Sequence, residues 1–325
     1  MNSPVPDSTP HPDAMPTGWN RTRFAAVITA VALVLLLVNT VVVDRVQRAA
    51  EPFGGGRVLD LAGAGLNVRE YGSGGDRAVV LLHGYSASIQ WWEAVAPALA
   101  HGTRLIAIDL VGHGGSAAPR NATEYRAEAQ ATAVRHALDA LGVRHAVLVG
   151  HSMGGSVATA LAETAPDLVD RVVVVDTIGA PGLAAMPALG NAVCWPVIGQ
   201  ALDRLRRFDR VDETALRAGF APGFPVPEVA YRSLRRMTHT AVCDAKRASV
   251  TLNNQRAVAD RLAGLGKPVL VVWGERDVLG PTQANVDRYR AAGLSPVIIA
   301  GSGHSPMIEK PTDFVTAVNA FVHAG

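Results

Sequence analysis

The tightest constraint in this chain is a serine set among glycines where a β-prone run gives way to a helix-prone one. Ala146–Val149 leads into Gly150-His151-Ser152-Met153-Gly154-Gly155, followed by Ser156-Val157-Ala158-Thr159-Ala160-Leu161-Ala162-Glu163. A chain that passes directly from a buried strand into a helix, with a side chain displayed at the turn, needs a strained backbone and close packing. Glycines on either side of the serine relieve that crowding. Gly-x-Ser-x-Gly alone also fits a buried structural serine; the flanking strand and helix favour an exposed, reactive hydroxyl.

The rest of the chain supplies a sheet for that turn. Arg57–Leu61 and Leu66–Tyr71 read as strands joined by a Gly-containing turn. Runs rich in Val, Ile and Leu follow at Ala78–Leu82, Leu105–Leu110, Ala146–Val149, Val172–Val175, Val269–Trp273 and Pro296–Ile299. Such runs are the pattern of strands buried on both faces. Helical spacing of apolar residues marks Tyr125–Leu141, which stops at Gly142, and then Pro281–Ala292 and Thr312–Val322. The alternation predicts an α/β fold: a mostly parallel sheet with helices on both faces. From about Ala180 to Ala248 prolines and Arg-containing helical pieces replace strands, which predicts a helical cap inserted between two strands.

The N-terminus is of another kind. Residues 1–23 are polar and Pro-rich and read as a disordered tail. Phe24–Val43 is apolar apart from Thr29, Asn39 and Thr40. About 20 such residues cross a bilayer as a helix, whereas a core helix keeps a polar face. The run exceeds the h-region of a signal peptide, and Arg48-Ala49-Ala50 puts Arg where a cleavage site needs a small residue. We therefore expect an uncleaved single-pass anchor over 24–43, then a linker over 44–56 and a body over 57–325. Arg21 and Arg23 flank one end and Arg45 and Arg48 the other, so charge does not set the orientation. The short leading tail favours an extracytoplasmic body. Cys194 and Cys243 pair there or stay as buried thiols; neither has a metal-ligand or redox spacing. A net charge of +2 argues against a nucleic-acid partner.

A displayed serine becomes a nucleophile only with a base beside it and a group that orients the base. Gly274-Glu275-Arg276-Asp277 places a carboxylate just after the Val269 strand, and Gly301-Ser302-Gly303-His304 places an imidazole after the next. In that reading His304 takes the proton of Ser152, and Asp277 fixes the imidazole and stabilises its charged form. Asp277 as a helix cap and His304 as a plain loop residue are the structural alternatives. Asp176, at the end of Val172–Val175, is the rival acid; the turn around Asp277 fits better. An oxyanion needs donors, and the candidates are the N–H groups of Met153, after the serine, and Tyr85, in Leu81-Leu82-His83-Gly84-Tyr85. His83 and His113 are expected to shape loops, and His151 to lie off the line of proton transfer.

Taken in order, Leu81-Leu82-His83-Gly84-Tyr85, Asp109-Leu-Val-Gly-His-Gly-Gly-Ser116, Gly150-His-Ser-Met-Gly-Gly155, Trp273-Gly-Glu-Arg-Asp277 and Gly303-His304-Ser-Pro306 resemble the α/β-hydrolase superfamily, in its cap-bearing serine hydrolase branch. The resemblance runs from about Arg57 to the C-terminus. It implies an eight-stranded, mostly parallel sheet, a lid over the site, and hydrolysis of a small-molecule carboxylic ester through an acyl-enzyme, with no cofactor and no metal. It leaves open thioester, lactone, amide and carbon–carbon substrates, perhydrolase chemistry, and a non-catalytic binding protein on the same fold. Epoxide hydrolases and dehalogenases of this fold place a carboxylate where this chain has Ser152. The anchor lies outside the shared pattern. Arg204, Arg206, Arg207 and Arg210 in the cap, with Arg232, Arg235 and Arg236, form either a solvated face or a basic surface for anionic lipid headgroups.

Overall fold

The computed structural model describes residues 21–61, 65–185, 192–205 and 208–323. One eight-stranded sheet contains β1 (Arg57–Leu59), β2 (Leu66–Tyr71), β3 (Arg77–Leu82), β4 (Arg104–Ile108), β5 (His145–His151), β6 (Val169–Val175), β7 (Val269–Gly274) and β8 (Val297–Ile299), in spatial order β1-β2-β4-β3-β5-β6-β7-β8. β1 and β2 are antiparallel to each other and β2 to β4; from β4 across to β8 every pairing is parallel. Each apolar run singled out in the sequence lies on a strand. In β5, Leu148 pairs with Val80 on one side and Val172 on the other. Consecutive residues of β3, Val79 to Leu82, are all buried, so both faces of the sheet are covered.

β4 ends at Ile108, short of the expected Leu110. Asp109 turns inward there, and its carboxylate accepts the Ile89 and Gly115 N–H groups at 2.7 and 2.8 Å and the Asn67 amide at 2.7 Å. The backbone thus leaves the ladder to wrap a buried carboxylate. The turn between β1 and β2 falls at 62–64, outside the described residues.

The expected tail also lies largely outside them; its last residues, from Arg21, belong to a helix that runs to Asp44. Residues 23–44 are apolar and long enough to cross a membrane, and that window is only 6% buried. A signal sequence would pass the same test. The segment after the helix is tied to the body rather than hanging free. Arg48 bridges Ala118, the Glu51 N–H donates to Gly115 O at 2.8 Å, and Asn67 donates to Phe53 O at 2.9 Å.

Between β6 and β7 the described residues form the helices Ile198–Asp203, Asp209–Leu216, Glu228–Arg236, His239–Ala248, Thr251–Gln255 and Val258–Ala263. Thr238 caps His239–Ala248 by accepting the Ala241 N–H. Cys194 and Cys243 are joined in a disulfide across 49 residues of chain, with Cα atoms 5.5 Å apart. The bridge fastens the start of the cap to its longest helix. In the chain-entropy account, opening a loop of that size costs about 4 kcal/mol. Cys243→Ala, or reduction of the native protein, is therefore expected to lower the unfolding midpoint, read by calorimetry on oxidised and reduced samples.

Candidate active site

The loops that matter leave the carboxyl ends of neighbouring parallel strands, where open α/β sheets place their ligands. Tyr85 follows β3, Ser152 follows β5, Asp176 follows β6, Asp277 follows β7 and His304 follows β8. Ser86, Ser152 and Asp176 hold positive φ angles of 57°, 51° and 45°, so backbone strain is concentrated here. Ser152 keeps its conformation because its N–H donates to Val175 O at 2.8 Å and its own carbonyl accepts the Gly155 N–H at 3.0 Å. The neighbouring glycines are explained by what a Cβ would strike: the Leu82 and His83 carbonyls at Gly154, the Thr177 side chain at Gly155, and the backbone of Gly154 at Gly150.

Ser152, His304 and Asp277 come together. His304 Nε2 lies 3.0 Å from Ser152 Oγ, and His304 Nδ1 lies 2.7 Å from Asp277 Oδ2. Since a carboxylate only accepts, the Nδ1–H points at Asp277 and the Nε2 lone pair is left for the serine hydroxyl. Asp277 Oδ1 accepts the N–H groups of Leu279 and Gly280 at 2.8 and 3.0 Å, which fixes the carboxylate from behind.

Asp176 is fully buried beside this pair, and one of its oxygens accepts the Gly274 N–H at 2.8 Å. The other oxygen has no N–H donor among the described residues and is turned to Asp277. Burial first, and the Asp277 charge second, push the Asp176 carboxyl well above its ordinary 3.8. The Asp176 carboxyl therefore holds its proton to higher pH than a free carboxyl does. The rival acid is a neighbour of the chosen one, not a substitute. Ligand atoms of Asp176, Asp277 and His304 lie within 4.8 Å of one another, but the facing atoms of His304 and Asp277 are already engaged with each other.

The oxyanion candidates flank the serine. Met153 is the first residue of the helix Met153–Thr164, so its N–H has no acceptor within that helix. The Gly84 carbonyl accepts from His83 Nδ1 at 2.7 Å and from the Ala87 N–H at 3.3 Å, and the trans peptide turns the Tyr85 N–H the opposite way. Gly84 has no room for a Cβ, which would lie 2.7 Å from His151 Nδ1 and 3.2 Å from Ser152 Cβ. The Tyr85 hydroxyl donates to Val242 O at 3.1 Å, which joins this loop to the cap.

Three buried imidazoles surround the site. Desolvation lowers His83 to about 4 and His113 to about 3, and holds His151 well below the ordinary value. Neutral His83 accepts the Leu110 N–H at 3.0 Å through Nε2, consistent with a role in shaping the loop. His151 does more than its sequence position implied. Its Nε2–H donates to the His304 carbonyl at 2.7 Å and so braces the base through its backbone.

Glu309 escaped the sequence reading. It is buried, and its carboxylate accepts the N–H groups of Gly303, Ser305 and Ala221 at 3.0, 3.1 and 2.8 Å. Ser305 Oγ adds a bond to Gly219 O at 2.7 Å. The only sequence signal was an acidic residue in an apolar stretch soon after Gly-His-Ser-Pro.

The sequence profile of the alpha/beta hydrolase fold matches residues 77–311. The chain belongs to the α/β-hydrolase family. An uncharacterized protein of Mycobacterium tuberculosis is 28% identical over 267 residues, covering 77% of this chain and 76% of the relative. Lipase 3 of Moraxella sp. (strain TA144) is 27% identical over 248 residues, covering 75% and 76%. Among solved structures, Est816, described as an N-acyl homoserine lactone degrading enzyme, is 28% identical with a TM-score of 0.63, covering 81% of this chain and 99% of that one.

Two outcomes follow for this hydrolase. Because folded Asp176 binds a proton that the unfolded chain releases above the ordinary value of 3.8, wild-type stability falls as pH rises toward the folded value. Asp176→Asn carries no such proton, so its stability relative to wild type should rise as pH increases above about 4, read by denaturant melts from acid toward neutral pH. Glu309→Ala orphans buried N–H groups at about 1–3 kcal/mol each. It should lower both the melting temperature and the rate at which a fluorophosphonate labels Ser152.

Proposed function

We propose that this protein is a membrane-anchored serine hydrolase that cleaves carboxylic esters through an acyl-enzyme. The observation that carries the reading is the aligned pair of bonds, Ser152 to His304 at 3.0 Å and His304 to Asp277 at 2.7 Å. Ser152 Oγ attacks the ester carbonyl while His304 Nε2 takes its proton. The Met153 and Tyr85 N–H groups stabilise the developing oxyanion. The imidazolium, held by Asp277, returns the proton to the leaving alcohol, and the acyl group stays on Ser152. Water then enters, His304 takes its proton, and attack on the acyl carbon releases the carboxylate and restores the serine.

The lipase among the relatives favours esters with apolar acyl chains, and the likeness to Est816 favours a cyclic ester, a lactone, as a second reading with the same steps. Anchoring rests on the exposed apolar helix from Arg23 to Asp44. The disulfide favours an extracytoplasmic body, since disulfides persist in oxidising compartments.

The test is hydrolysis of p-nitrophenyl esters from acetate to palmitate, and of acyl lactones, by the full chain in detergent. Ser152→Ala should reduce turnover by about 10⁴-fold or more. Serine-independent turnover, or no turnover and no fluorophosphonate labelling, would sink the reading in favour of a non-catalytic protein.

A further inference from the structure

Beyond the N-terminal helix, five of the exposed large apolar side chains fall within one short stretch of the cap. Trp195 is 53% exposed and Phe208 61%, with Ile198, Leu205 and Val211 also open. A tryptophan and a phenylalanine so far out of the core have no packing role there. The same stretch is attached to the N-terminal helix. Arg204 Nε donates to Asn39 Oδ1 at 3.1 Å, and Gln200 donates to the Asp44 carboxylate at 3.2 and 3.3 Å. His239, at the start of a neighbouring cap helix, faces Asp44 at 3.5 Å.

The depth of these contacts decides what covers the patch. Asn39 lies inside the apolar run, about 7 Å before Asp44 along the helix axis. The cap stretch therefore runs beside the last turns of the helix, not beyond its end. Asn39, an interruption in an otherwise apolar run, has its side chain spent on Arg204. Arginine can lay its stem along apolar surface with its head on a polar group, and tryptophan concentrates at the membrane–water boundary.

Charge does not favour an anionic partner here. Arg235 is engaged by Asp209 and Asp212, and Arg236 by Glu51. Arg206 and Arg207 lie outside the described residues. Two of the cap arginines are thus engaged within the protein, and the apolar side chains are the open feature of this stretch.

We propose that the cap stretch Trp195–Leu205, with Phe208, rests in the headgroup layer of the bilayer that the N-terminal helix crosses, its occupant being the phospholipid interface. This rests on the anchor in the proposed function. It makes the cap a second, shallow membrane contact, held by apolar insertion, and presents the hydrolase to substrates dissolved in the bilayer.

The test uses the full chain reconstituted in phosphatidylcholine vesicles, with and without bromine on the upper acyl chain. The difference in fluorescence between wild type and Trp195→Phe isolates Trp195, whose exposure makes that change harmless to folding. The expected result is a blue-shifted Trp195 signal at least about twofold quenched by the brominated lipid, and unchanged by added salt. A Trp195 signal at the wavelength of water and indifferent to bromine, from protein that resists alkaline carbonate, overturns the cap contact and leaves the anchor standing. Extraction by carbonate overturns both. Ile198→Cys carrying an environment-sensitive dye provides a second reading of the same depth.

Discussion

Everything in the site depends on backbones approaching where side chains would ordinarily hold them apart. The turn after β5 lies against the carbonyls of Leu82 and His83 at Gly154 and against Thr177 at Gly155. Only that closeness seats Ser152, at a φ of 51°, between the β3 loop and the β6 loop. Were those gaps opened by even a methyl group, the serine would move away from the Gly84–Tyr85 turn and from His304 together. The glycines are the means by which neighbouring strand ends meet at one oxygen atom.

The sheet and the residues that meet at Ser152 were legible because each has a local cause. Strands buried on both faces must be continuous apolar runs, and a displayed serine must be flanked by glycine. Asp277 and His304 stood out as polar residues just beyond such runs. Other features left no local mark because they are relations between distant segments. Asp176 reads as an alternative acid in sequence, and only the structure shows it buried beside Asp277 with its carboxyl pushed above the ordinary value. Glu309 reads as an ordinary helical glutamate until its carboxylate is seen among the backbone donors of Gly303, Ser305 and Ala221. The segment after Asp44 has linker composition, yet it pairs with Ala118 because the loop that wraps Asp109 presents free backbone groups to it.

The cap behaves as a joined body rather than a loose insertion. The helix His239–Ala248 gathers the connections: His239 to the N-terminal helix, Val242 to the loop that carries Tyr85, and Cys243 to the start of the cap. Among the arginines that look like a basic surface in sequence, Arg235 is turned to Asp209 and Asp212 and Arg236 to Glu51.

The carboxylate of Glu309 holds two things at once, the loop of the imidazole base and the chain at Ala221 in the cap. One edge of the cap is therefore pinned to the loop that carries His304. Swinging that edge outward would pull on the loop that carries His304.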